Sequence, residues 1–314
     1  MNKAILHDHL DGGLRPSTAK ELAYTMKYKP LLEIDDIFTF FDRSNSSSLE
    51  DYLEAFIHTT ALMTTYENLE RIAFEAAEDM HNEGITHYES RYAPLYSVNK
   101  NLSIENVINA INSGFNQANK IYGIKCGLIL CGMRNDKKNV EQVTEIAIEY
   151  KDKIIGFDIA GPELNYRPSI FKSSFDKLQK NKINITIHAG EGDNVESIKD
   201  ALDNGAMRIG HGVRIIEDID IKSNTLGNTA SYILDKQIPL EICITSNIHT
   251  NMYKSFEEHP VSKLINLGFN VSLNTDNRLM SNTNVQKEID IAKNLGINNI
   301  DELFKRSASY SFLN

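Results

Sequence analysis

The chain has 314 residues, 41% of them hydrophobic, which suits one large α/β domain over residues 1–314 with room for an insertion. Its 33 Lys and Arg stand against 43 Asp and Glu, a net charge of −10, which argues against a nucleic-acid-binding surface and leaves a small neutral or cationic partner. Three cysteines, Cys126, Cys131 and Cys243, form no C-x-x-C, so neither a disulfide framework nor a cysteine-based zinc site is supported.

In chain order, short runs rich in Ile, Val and Phe alternate with helix-period segments, the βαβ pattern of a parallel sheet. His7 stands too near Met1 for a cleavable leader to precede it, and no run approaches the ~18 apolar residues of a membrane span; the expectation is a cytoplasmic protein with no membrane partner. Strands are predicted at 3–9, 85–91, 124–131, 153–159, 183–188, 206–210, 239–244 and 269–274, the eight that close a TIM (β/α)8 barrel. Several, such as "KIIGF" and "INITI", are apolar on both faces, as expected between a filled barrel interior and a ring of helices.

On the first strand, "LHDHLDGG", alternation puts His7 and His9 on one face and Asp8 on the other. Alone, that pair reads equally as half of a metal site or as two polar residues near a chain end. Residues 10–85 are too long for one crossover helix and are predicted as a helical insertion, a lid, between strands 1 and 2. Within it the serine-rich stretch 42–51 reads as a loop whose Ser caps the next helix. There Leu49, Tyr52, Leu53 and Phe56 fall at i, i+3, i+4 and i+7, one helix face that either packs on the barrel or walls a ligand site. Residues 194–205 are predicted as a helix capped by Asn194 and ended by Gly205.

A TIM barrel keeps its active site at the C-terminal ends of its strands. His7 and His9 end the first strand, His188 the fifth, and His211 and Asp276 follow the sixth and eighth, all on one rim. The other histidines, His58, His81, His87, His249 and His259, fall in helices, strand interiors or loops and read as structural or exposed. Three imidazoles and a carboxylate suit a divalent ion that also holds a water, and on zinc that water loses a proton near pH ~7. Glu191, three residues beyond His188, can reach a substrate without ligating and is a candidate general acid and base.

The motifs "LHDHLDGGLRPST", "ESRYAP", "FDIAGPE", "ITIHAGEGD", "RIGHGVR", "LEICITSN" and "SLNTDNRLMS" follow one another along nearly the whole chain. In them the sequence resembles bacterial members of the adenosine and AMP deaminase family. The resemblance implies one Zn2+ on His7, His9, His188 and Asp276, with Glu191 donating a proton to purine N1. It implies that His211 and Asp276 hold and deprotonate the water attacking C6. Its substrate would be a small purine nucleoside: adenosine and 2′-deoxyadenosine would give inosine, 2′-deoxyinosine and ammonia. His9 and Asp11 would also face substrate, Asp11 accepting from the ribose 5′-hydroxyl and so opposing a 5′-phosphate. Gly161 would offer its N–H to N3, and the Leu49, Tyr52, Leu53 and Phe56 face would suit a ribose-bearing purine. Asn277 replaces the second aspartate of animal members, and its amide can donate to N7 at any pH.

Adenine, N6-methyl-AMP or aminodeoxyfutalosine would use the same zinc and Glu191, and a barrel that only binds purines is the non-enzymatic alternative. Two-metal hydrolases of this superfamily are disfavoured, because "GFDIAGPE" offers no lysine at the end of the fourth strand. The pattern assigns no oligomeric state.

Overall fold

A computed structural model describes residues 2–223 and 225–313. Eight parallel strands form the barrel: β1 (Ala4–Ile5), β2 (His87–Tyr92), β3 (Lys125–Met133), β4 (Gly156–Ala160), β5 (Thr186–Ala189), β6 (Arg208–His211), β7 (Leu240–Ile242) and β8 (Val271–Leu273). β1 to β4 pair in sequence order, as do β5 to β8. A bridge between Phe157 and Ile185 joins β4 to β5, and one between Asp8 and Asp276 joins the ends of β1 and β8, so the sheet closes on itself. Among the described residues no helix is long and apolar enough to cross a membrane.

All eight predicted strands are present, with edges shifted by up to four residues. The first departs most. Its regular pairing stops at Ile5 because Asn274 Oδ1 takes the N–H groups of Leu6 and His7 at 2.8 and 3.2 Å, in place of the ladder. Pairing resumes where His9 N–H meets the Asp276 carbonyl at 2.7 Å and Asp276 N–H meets that of His7 at 3.0 Å. The two metal-binding candidates at the seam are thereby bonded through their backbones.

The expected apolar filling of the barrel is corrected. Arg91 on β2 reaches Asp158 on β4 and Glu241 on β7 at 2.5 and 2.8 Å, and Arg208 on β6 reaches Glu89 on β2 and Glu241 at 2.6 and 2.7 Å. The pairs between strands well apart around the barrel, Arg91 with Glu241 and Arg208 with Glu89, must cross the interior, and all five side chains are at most 1% exposed. An isolated buried charge costs several kcal/mol, so the network holds only because each charge meets opposite ones with hydrogen bonds.

The insertion is shorter than predicted. Helices Pro16–Met26, Lys29–Leu32, Ile37–Phe41, Leu49–Leu53 and Phe56–Leu62 cover the rim, whereas Tyr66–Asn82 is the crossover helix of the ring. It buries Leu69, Ile72, Ala73, Ala76, Ala77 and Met80 at helical spacing, and its Glu70 receives Gln117 Nε2 from helix Ile104–Tyr122 at 2.8 Å. Ser48 Oγ caps Leu49–Leu53 by accepting Asp51 N–H at 3.2 Å. The predicted single face spans two helices, because the turn tightens between them. Glu54 N–H and His58 N–H bond to carbonyls three residues back, at 3.3 and 3.1 Å. The helix expected at 194–205 is Val195–Asp203, capped by Asn194, with Gly205 at φ +92° after it.

Candidate active site and metal centre

The strand ends deliver five groups to one point. One donor atom each from His7, His188, His211 and Asp276 lies within 4.8 Å of the other three. His9 Nε2 joins them at 3.1 Å from His188 Nε2 and 3.4 Å from Asp276 Oδ1, and His7 Nε2 is also 3.4 Å from that oxygen. His211 and Asp276 have φ of 60° and 56°, a left-handed backbone that costs a non-glycine residue about 1 kcal/mol or more. Such strain is typical where a rim must aim a side chain inward.

The imidazoles are oriented from behind. His7 Nδ1 donates to Glu241 Oε2 at 2.9 Å, which leaves the Nε2 lone pair facing the cluster. Glu241 is held well below the carboxylate range, against its burial, by Arg91 and Arg208. His188 Nδ1 lies 2.8 Å from Asp158 Oδ2, and that carboxylate is also lowered against burial, by His188 and Arg91. Burial pushes His9, His188 and His211 below the ordinary imidazole range, so they are neutral, and His9 and His188 can each turn a lone pair to the cluster. His7 Nε2 and Asp276 Oδ1 are buried with no hydrogen-bond partner. Orphaned acceptors among neutral imidazoles and a carboxylate fit one divalent ion.

Glu191 follows β5, 7% exposed, with Oε2 3.5 Å from His211 Nε2. Burial drives its carboxyl well above the usual range, and Asp276 and Glu163 add to the rise. The cluster opens into a cavity of ≈ 470 Å³. His9, Asp11, Gly161, His188, Glu191, His211, Asp276 and Asn277 line it, opposite Leu49, Tyr52, Leu53 and Phe56. His7 sits behind this surface, fully buried. Asp11 Oδ1 and Asn277 Oδ1 are buried and unpartnered, and Gly161 turns the chain at φ +96°. No Lys or Arg is among the described residues of the wall.

A profile of the family described as adenosine deaminase matches residues 2–314. The chain belongs to the adenosine deaminase family. Adenosine deaminase 1 of Streptomyces coelicolor is 44% identical over 301 residues, covering 92% of this chain and 76% of that one. Adenosine deaminase of Mycobacterium avium is 40% identical over 304 residues, covering 91% and 83%. Among solved structures, the adenine deaminase of Arthrobacter aurescens superposes with a TM-score of 0.89 at 22% identity, over 99% of this chain and 93% of that one, a likeness of fold. The N6-mAMP deaminase of Arabidopsis gives 0.84 at 25% identity, over 99% and 93%. With this family and a metal-binding cluster of this type, the chain is a hydrolase of the deaminase kind.

Beyond the candidates read from the sequence, this adenosine deaminase family member uses supporting residues that strand-end logic passes over. Arg91, Asp158 and Glu241 lie within strands or beside them, Asn247 lies in helix Ile244–His249, and Glu163 follows β4. The available signal was a charged residue inside an otherwise apolar strand, as in "FDIAG" and "LEICI", which a buried position tolerates only when paired.

Proposed function

We propose that this protein catalyses zinc-dependent hydrolytic deamination of adenosine and 2′-deoxyadenosine to inosine and 2′-deoxyinosine, as a cytoplasmic enzyme of purine salvage. The observation that carries this reading is one cavity onto which an imidazole–carboxylate cluster and a carboxyl group raised by burial both open.

Zinc would be held by His7, His9, His188 and Asp276, one ion per chain, and when bound it supplies a Lewis acid that makes a water acidic near neutrality. Glu191, kept protonated by burial, gives its proton to purine N1, which draws electron density from C6. His211 holds the attacking water from one side while Asp276 accepts its proton. The water oxygen bonds to C6, the C6–N6 bond breaks, and N6 leaves with that proton as ammonia, while the proton left on the new C6 oxygen returns to the Glu191 carboxylate as the carbonyl forms. Gly161 N–H faces N3, the Asn277 amide donates to N7, and Leu49, Tyr52, Leu53 and Phe56 cover the purine and ribose.

The wall favours nucleoside over nucleotide. It holds Asp11 and Glu54 and no described cation, so a 5′-phosphate would meet carboxylates instead of a counter-charge. The 40–44% identity to proteins named adenosine deaminase supports adenosine over the free base. The test is loss of absorbance when the zinc-loaded protein meets adenosine, beside 2′-deoxyadenosine, adenine, AMP and aminodeoxyfutalosine, with metal content measured on the same sample. Consumption of one of the last three with adenosine untouched would overturn the assignment.

A further inference from the structure

His259 lies outside the cavity wall, 4% exposed, beneath helix Ile244–His249. Its surroundings fix where its hydrogen sits. Val261 opens the next helix, and its N–H, which has no partner within that helix, donates to His259 Nδ1 at 3.2 Å. Nδ1 is therefore the bare nitrogen. Burial lowers this imidazole to about 3, so it is neutral and its one hydrogen is on Nε2.

That N–H meets Asn247 Oδ1 at 3.1 Å, and on the far side Asn247 Nδ2 meets His211 Nδ1 at 3.0 Å. The amide cannot be turned over, because its NH2 would then face the His259 N–H, donor against donor. Asn247 is fully buried, and its own backbone is fixed by N–H to the Cys243 carbonyl at 3.0 Å and by Met252 N–H to its carbonyl at 3.1 Å. The amide therefore donates to His211 Nδ1, and a neutral His211 must carry its hydrogen on Nε2, the nitrogen that faces Glu191 and the metal cluster.

We propose that His259 and Asn247 form a relay, anchored on the Val261 N–H, that holds His211 in the Nε2–H form, so that both are positioning residues for the reaction. This rests on the deaminase reading above and adds to it the origin of His211's role. With Nδ1 occupied and Nε2 protonated, His211 has no lone pair for a metal and can only donate a hydrogen bond. The third imidazole ligand is then His9, although His211 also has a ring nitrogen within 4.8 Å of the His7, His188 and Asp276 donor atoms. A hydrogen bond donated toward the attacking oxygen is useful where negative charge develops on that oxygen.

The test is nitrogen NMR of the zinc-loaded protein labelled at histidine, assigned by single His substitutions, together with steady-state kinetics on adenosine. In the unmodified protein His211 is expected to show a protonated Nε2 and a bare Nδ1, and His259 the same. Asn247→Asp replaces the donating amide by a carboxylate with no hydrogen to give. The His211 hydrogen should move to Nδ1, zinc content should stay at one per chain, and kcat should fall by about 100-fold or more with KM little changed. His259→Gln keeps a donor toward Asn247 and should retain about tenfold more kcat than His259→Phe, the worth of one oriented hydrogen bond.

A bare Nε2 on His211 in the unmodified protein overturns the relay, even if the variants fail to fold. So does an Asn247→Asp protein whose His211 spectrum and kcat are unchanged. An unmodified protein with the expected His211 spectrum but no action on adenosine keeps the relay and overturns the substrate assignment instead.

Discussion

Glu163 Oε2 accepts the main-chain N–H of Glu191 at 2.9 Å, so one carboxylate fixes the backbone of the residue that carries the other. The same oxygen takes the N–H groups of Gly192 and Asp193 at 2.6 and 3.1 Å, and Oε1 takes that of Gly190 at 2.7 Å. Four donors converge on a side chain that is 1% exposed. Glu163→Gln would set an NH2 against at least one of them. Hydrogen bonds to a charged group contribute about 1.5–3 kcal/mol, so a loss of about 2 kcal/mol in stability and a 10- to 100-fold fall in kcat/KM are expected. Urea denaturation and initial rates check both; an unchanged kcat/KM would mean that the loop holds Glu191 without this carboxylate.

A second close approach ties the N-terminal motif to the last one. A Cβ on Gly12 would lie 2.0 Å from Asn277 Oδ1, nearer than any real contact, so Gly12→Ala must displace the amide that faces the cavity. Overpacking of this kind costs about 1–3 kcal/mol. Because Asn277 is assigned to binding and not to proton transfer, KM for adenosine should rise by about tenfold with kcat changed less. A fall confined to kcat would argue against that role.

These two relationships mark where sequence reading stops. The strand ends were legible because short apolar runs alternating with helix-period segments announce a parallel barrel, and the barrel dictates which rim His188, His211 and Asp276 must share. Glu163, Asn247 and His259 were not legible in their roles. Each acts through a hydrogen bond to a residue 12 to 36 positions away, and local spacing carries no trace of such a pairing. The charged interior escaped for a related reason. One Arg in "ESRYAP" looks like an interruption until Asp158 and Glu241 arrive from other strands to meet it.

The proton donor sets a pH dependence whose sign is fixed. Burial raises the Glu191 carboxyl well above its ordinary range, and the protonated form is the active one. The unmodified enzyme should lose its rate as pH rises through that raised value. Glu191→Gln should cost at least about 100-fold in kcat and abolish this alkaline limb. Log kcat against pH for both proteins decides; an alkaline limb that survives unchanged in the variant belongs to another group.

Glu288 supplies a stability test away from the chemistry. Its carboxyl is 2% exposed, accepts Thr283 Oγ1 at 2.7 Å and Thr245 N–H at 3.4 Å, and so ties helix Val285–Asn294 to helix Ile244–His249, which carries Asn247. Burial raises it from 4.5 to about 7, offset in part by those hydrogen bonds. The folded state thus holds this proton more tightly than the unfolded chain does. Its contribution is fully present below pH 4.5 and is lost as pH rises to about 7, by about 3 kcal/mol at most. Glu288→Gln cannot ionise. Relative to the unmodified protein it should therefore be less stable or equal at pH 4.5, through one lost hydrogen bond, and should gain on it by about 1–3 kcal/mol by pH 8. Urea midpoints of the two zinc-loaded proteins across this range measure the difference, in which other titrating groups cancel. Parallel curves would mean that Glu288 is ionised in the folded protein throughout, with its charge carried by the two threonine donors.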